Sequence, residues 1–261
     1  MFQITSQELL NLVATFIWPF SRILGFFSTA PLLSQNSFPV TTRIGLAIAM
    51  TILVMPGIPL MVTIDPLSMD GLLILINQFL IGISIGFVMR VIFSAIEMAG
   101  ELIAVSMGLG FATFYNPQTQ AQTIVISQFL SLLALAVFLS TNLHLVMLES
   151  FFDSFKTIPI DQISLAPIAF RDLAYWGSNI FSIGLQLSLP IVTTLLIANI
   201  ALGILTKAAP QLNLFGIGFP ITIGIGFLML SINMPYWSNP IINSLDLGIQ
   251  MIRQATATLA N

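Results

Sequence analysis

Long apolar runs joined by short polar links dominate the chain. The first apolar run extends from about Leu9 to Leu33, behind Thr5-Ser6-Gln7-Glu8, which reads as a capping box with Thr5 as N-cap. Trp18-Pro19 and Arg22 lie inside it and Pro31 near its end. A lipid-facing arginine at mid-depth is costly, so Arg22 is expected to face protein or the segment not to sit centrally in the bilayer, with snorkelling to the interface as the alternative. A second run, Ile44 to Thr63, is interrupted by Pro56 and Pro59, which end or kink a helix. After the turn Asp65-Pro66-Leu67-Ser68-Met69-Asp70-Gly71, with Asp70 as expected N-cap, a third run spans Leu72 to Ile96. A fourth, Leu102 to Tyr115, is shorter than the roughly 20 residues that cross a bilayer as a helix, so it reads as re-entrant or protein-buried.

Ile124 to Leu148 is long enough for one span. Glu149 to Asp172 is the most polar region, and Ala174 to Thr206 is too long for one straight span, with Pro190 as the expected bend. Leu212 to Met234 is glycine-rich and broken at Pro220. In the tail, Ser238-Asn239-Pro240 signals a helix start, and Ile241, Leu245, Ile249 and Ile252 recur at helical spacing. The segment 236–261 is therefore expected to be an amphipathic helix. Counted as about six spans, the chain places basic residues evenly on both sides, so the positive-inside rule gives no orientation. Helices covered by protein partners would account for that.

Composition fixes the class. Of 261 residues 57% are hydrophobic and 7% charged, against roughly 25% charged in soluble domains. So few charges cannot supply a polar surface, and the expectation is a polytopic integral membrane protein with no soluble domain. A net charge of −3 without a basic cluster argues against nucleic acid as a partner. Cysteine is absent, which excludes disulfides and Cys-ligated metal. No positive region precedes the first apolar run, so a cleaved signal peptide is not expected.

The stretch Glu97 to Thr123 departs from this apolar rule. It opens with Glu97 and Glu101 one helical turn apart and thins to Ser106, Gly108, Gly110 and Ala112. It then ends in Asn116-Pro117-Gln118-Thr119-Gln120. Lipid cannot satisfy irregular backbone, so this stretch is expected to line or close a passage. Arg90 lies two turns before Glu97 on the same helical face. Three ionisable groups there suit buried pairing that fixes assembly, an ion or proton relay, or a solvated face, and pairing is favoured. Phe111, Phe114 and Tyr115 follow the glycines, and read either as ordinary packing or as a loop able to move aside.

Gly82-Ile83-Ser84-Ile85-Gly86 matches a nucleophile elbow, but it lies in a helical pattern where it reads as GxxxG packing. His144, the sole histidine, reads as structural. No metal site is expected from two glutamates alone.

Several of these segments together resemble the flagellar biosynthetic FliR family. They are Trp18-Pro19 with Arg22, Ser28-Thr29-Ala30-Pro31-Leu32-Leu33-Ser34, and Gly100-Glu101 followed by Met107-Gly108-Leu109-Gly110-Phe111-Ala112-Thr113-Phe114 and Asn116-Pro117. Ala209-Pro210-Gln211-Leu212-Asn213-Leu214-Phe215, continuing to Ile217-Gly218-Phe219-Pro220, completes the set. The resemblance implies an all-α membrane protein of helical hairpins with kinked and non-spanning helices, like a fused FliP-like and FliQ-like unit. It also implies a single export-gate domain over 1–261, with no enzymatic activity and no cofactor expected.

It further implies assembly with FliP and FliQ into a pore of the flagellar type III secretion export gate. FlhB and FlhA associate with that pore, which passes unfolded flagellar subunits across the inner membrane at the flagellar basal body. A plug-like loop then falls on 106–122, with Gly108, Gly110, Phe111, Phe114, Tyr115, Asn116 and Pro117 closing the pore. Arg90, Glu97 and Glu101 would hold its base. The alternatives are the equivalent subunit of a virulence injectisome and, in a different class, a secondary transporter with broken helices. The latter predicts internal repeats, and none is convincing here.

Overall fold

The structure is a computed structural model that describes residues 6–34, 38–58, 64–109, 125–160, 167–209 and 218–259, with side chains for all of these except 6–9, 11, 12 and 167–170. The expected Thr5–Glu8 capping box lies outside the described side chains. Among the described residues the secondary structure is helical throughout. The α-helices are α1 (Ser6–Thr29), α2 (Val40–Val54), α3 (Met69–Ser106), α4 (Val125–Ser140), α5 (Leu143–Thr157), α6 (Pro167–Trp176), α7 (Asn179–Ala208), α8 (Phe219–Asn233) and α9 (Ser238–Leu259). Two 3₁₀ turns, Met55–Gly57 and Met234–Tyr236, each carry a proline.

Four described helical stretches are long and apolar enough to cross a membrane, or five if α4 and α5 are taken as one broken span. Of the six runs expected to span, the first, α1, is not among these described stretches. The helices also depart from the expected runs in three places. First, the third and fourth apolar runs are not separate up to Ser106: α3 is one helix of 38 residues. At 1.5 Å per residue it is about 57 Å long, well beyond the roughly 30 Å hydrocarbon core. Glutamate is a good helix former, so Glu97 and Glu101 continue the helix rather than end it. Second, Ile124–Leu148 does not form one span. Asn142, at φ 58, takes the left-handed conformation that asparagine tolerates and separates α4 from α5. Third, the run from Ala174 carries a two-residue turn at Gly177–Ser178, although Arg171–Ala208 still counts as one membrane-length stretch, and Pro190 lies within α7.

The start of α3 also differs from expectation. Ser68, not Asp70, is its N-cap: the Gly71 N–H donates to Ser68 Oγ at 3.1 Å, and Asp70 falls in the first turn. There its carboxylate still complements the positive helix end.

The chain packs as two compact units, each with its own core. The first comprises Met1–Val91, Asn142–Gly177 and Asp246–Asn261; the second comprises Ile92–Thr141 and Ser178–Leu245. In the first unit α1 crosses α3 at a glycine seam. A Cβ on Gly25 would strike the Phe79 carbonyl, one on Gly82 the Arg22 carbonyl, and one on Gly86 the Thr29 hydroxyl. The Gly82–Gly86 pair is thus close packing, and Ser84 Oγ donates within the helix to the Leu80 carbonyl at 2.8 Å. Backbone this close permits polar bonds between helices. Ser21 Oγ donates to the Leu75 carbonyl at 3.0 Å, and Trp18 Nε1 to the Gly71 carbonyl at 3.3 Å.

Arg22 is fully buried in the first unit and takes the protein-facing role expected of it. Its Nε donates to Gln78 Oε1 at 2.6 Å, its Nη1 to the Ser154 carbonyl at 2.9 Å and its Nη2 to the Ile158 carbonyl at 2.9 Å. The guanidinium also lies 4.4 Å from the centre of the Phe155 ring. Ser154 and Ile158 stand at the C-terminal end of α5, where free carbonyls and the helix dipole favour a cation. A buried charge without a carboxylate is thereby satisfied by a helix end, an amide and an aromatic face. Phe26 stacks on Phe151 at 4.2 Å beside this cluster.

In the second unit Gly100 lets α3 approach α4, since a Cβ there would strike the Ser127 backbone. Ser127 Oγ donates to the Glu97 carbonyl at 2.8 Å, and Phe93 meets Phe138 edge-on at 5.6 Å. Gly184 brings α7 against Ala95 and Met98. In α9, which contributes to both units, Ile241, Leu245, Ile249 and Ile252 are all buried, as its helical spacing implied.

Candidate functional site

The segment of functional interest leaves from the C-terminus of α3, within the second unit. The helix ends in a Schellman motif: the Leu109 N–H donates to the Ala104 carbonyl at 3.0 Å and the Gly108 N–H to the Val105 carbonyl at 3.0 Å. Gly108 takes φ +87, a conformation that needs glycine. Its Cα face also lies against a ring: a Cβ there would meet Phe219 Cδ1 at 2.6 Å. Gly108 is therefore required twice, once by backbone angle and once by space.

Neighbouring helices hold the last carbonyls of α3. Thr222 Oγ1 of α8 donates to the Met107 carbonyl at 3.0 Å, and Asn199 Nδ2 of α7 to the Ser106 carbonyl at 3.4 Å. Met107 itself is fully buried, and Gly226 of α8 makes room for its side chain. The helix end is thus a fixed mount from which the chain departs. Gly110, Phe111, Phe114, Tyr115, Asn116 and Pro117 lie outside the described residues.

Among the described residues Arg90, Glu97 and Glu101 of α3 do not pair with one another. Glu97 accepts from Ser131 Oγ at 3.2 Å, Arg90 Nη1 donates to Ser34 Oγ at 2.8 Å, and Glu101 is exposed. Among the described residues the ion pair is Lys156 with Asp153 on the surface of α5, and none involves Arg90, Glu97 or Glu101.

Reading the sequence overlooked Asn199, Thr222 and Phe219 as parts of this site. The signals were present. Asn199 and Thr222 are polar residues inside apolar helices, and Phe219 belongs to the Gly218-Phe219-Pro220 segment already singled out by resemblance.

The family described as bacterial export proteins, family 1, matches residues 13–247. The flagellar biosynthetic protein FliR of Pectobacterium carotovorum subsp. carotovorum is 43% identical over 90% of each chain. The FliR protein of Escherichia coli K12 is 40% identical, again over 90% of each. That of Bacillus subtilis 168 is 32% identical over 96% of this chain and 98% of its own. Such identity along nearly the whole chain, joined to its membrane-length helices, leaves one reading: the chain belongs to the bacterial export proteins, family 1, as an inner-membrane subunit of the flagellar export apparatus.

Proposed function

We propose that this chain forms, with FliP-type and FliQ-type subunits, a pore that passes unfolded flagellar proteins across the inner membrane, and that its segment 106–122 closes that pore. FlhB-type and FlhA-type proteins associate with the assembly. The protein works by gating and performs no covalent chemistry.

The observation that carries this reading is the end of α3. Gly108, required by both its φ and the Phe219 ring, sits at a turn whose carbonyls are held by Thr222 and Asn199. A rigid mount directly before a run of glycine, aromatic and amide residues suits a loop that must be placed reproducibly and still yield to a passing chain. Arg90, Glu97 and Glu101 are proposed to pair with neighbouring subunits and steady that mount.

Exposed apolar surface supports assembly. The membrane-length stretches Val40–Gly57, Arg171–Ala208 and Phe219–Tyr236 are 11%, 17% and 17% buried within the chain, against 56% for α3. Co-expression with FliP-type and FliQ-type subunits, purification in mild detergent and mass measurement test the assembly. A stable hetero-oligomer is expected; a transport-active monomer or homodimer would favour the secondary transporter instead.

A further inference from the structure

A cavity of about 350 Å³ opens within the second unit, where the C-terminal ends of α3 and α7 meet the start of α8. That volume lies in the range of small-ligand sites, roughly 300–1,000 Å³. Val105 of α3, Asn199, Leu202, Gly203 and Thr206 of α7, and Phe219 of α8 are among its walls. The α7 residues recur at helical spacing and so present one face to it. Gly203 is informative. A helix interior disfavours glycine, yet a Cβ at Gly203 would meet nothing within 4 Å. Among the described residues no atom needs the space that glycine leaves.

The surroundings indicate what uses that space. Val105 is 60%, Ile204 66% and Ile221 39% exposed, so the helices around the cavity present apolar side chains outward. The α7 and α8 walls belong to membrane-length stretches. The occupant is therefore apolar and comes from the bilayer rather than from water. Thr206 is followed by exposed Lys207 in the last turn of α7, and a cation at the end of a membrane-length helix suits the lipid–water interface. A cation there favours an anionic headgroup.

We propose that this cavity binds one acyl chain of an anionic phospholipid, packed between Val105, Leu202, Gly203 and Phe219, with the lipid phosphate at Lys207. The lipid lies beside the turn that ends α3 and buttresses it. The inference stands on the cavity and its lining and is independent of the pore reading.

The test uses phosphatidylglycerol carrying a diazirine in mid-chain, added to the full chain purified with its co-expressed partner subunits, with adducts mapped by mass spectrometry. Adducts are expected at Val105 and within Leu202–Thr206, displaced by unlabelled phosphatidylglycerol. Gly203→Trp, which fills the cavity, is expected to lower them about tenfold, while Gly203→Ala retains them. Gly203→Leu gives the same readout if the tryptophan variant does not accumulate. Lys207→Gln is expected to abolish the preference for phosphatidylglycerol over phosphatidylcholine. Adducts spread evenly along outward residues such as Leu185 and Leu189, or cavity adducts unchanged by both filling variants, would overturn the proposal. Labelling of the isolated chain that vanishes in the assembly would also overturn it, because a partner's side chain would then be the occupant.

Discussion

At the scale of single residues, close approach and buried charge decide the packing. Gly82 and Gly224 are both helical glycines, but their surroundings differ. A Cβ at Gly82 would strike the α1 backbone, whereas one at Gly224 would meet nothing within 4 Å. Gly82→Val is therefore expected to destabilise the first unit by about 2 kcal/mol or more. Gly224→Ala is expected to stabilise the isolated chain by about 0.5–1 kcal/mol, from helix propensity alone. Thermal aggregation midpoints in one detergent would check both, and equal shifts would contradict the seam. Arg22→Met strands the Gln78 oxygen and two carbonyls at the end of α5, and is expected to cost about 3 kcal/mol. Arg22→Lys keeps the charge but loses the fork that reaches three partners, so it should fall between. Its destabilisation, read in the same assay, should exceed half that of the methionine variant. The protein-facing role of Arg22 was legible in the sequence because a lipid-facing arginine is so costly. Its partners were not, since Ser154 and Ile158 are remote in the chain and offer mainly backbone carbonyls.

At the scale of helices, local signals placed most elements but misjudged their continuity. Apolar period alone located the spans, and the spacing of Ile241, Leu245, Ile249 and Ile252 gave the buried stripe of α9. The apolar runs on either side of Glu97 and Glu101 were counted as separate elements, although Arg90, Glu97 and Glu101 were placed on one helical face, and they lie in one helix. Gly100 is there for the approach of α4, a tertiary reason that no local pattern contains. The converse error lay in Ile124–Leu148, where a single left-handed residue, Asn142, breaks an unbroken apolar pattern. Asn142→Gly should be tolerated, while Asn142→Val should cost about 1–2 kcal/mol from backbone strain. The two variants would be separated by their accumulation in the membrane. The end of α3 was singled out for the loop that follows it rather than for its mount. Thr222→Val removes the donor to the Met107 carbonyl, and Gly108→Ala adds a Cβ against Phe219 at positive φ. Each is expected to weaken the mount by about 1–2 kcal/mol. Faster amide hydrogen exchange across Ile103–Leu109, with unchanged exchange in α5, is the expected result.

At the scale of the whole molecule, burial is distributed unequally. More than half of the α3 span is enclosed by its own chain, while the other membrane-length stretches leave most of their apolar surface uncovered. In water such surface would drive aggregation, but in a bilayer it is available to lipid and to neighbouring subunits. This matches an even spread of basic residues that gives no clear topology, since helices covered by partners need not obey the rules for lipid-facing spans. The flagellar export role follows from kinship along nearly the whole chain. What the chain does within that apparatus turns on whether the segment after Gly108 closes a conducting path. Deleting residues within Gly108–Gln120 and recording ion conductance of the assembled complex in planar bilayers, beside flagellar subunit export in cells, addresses this directly. The expected result is an assembly of normal mass with a raised resting ion leak. Normal assembly with the same low conductance as the unaltered protein would contradict the gate.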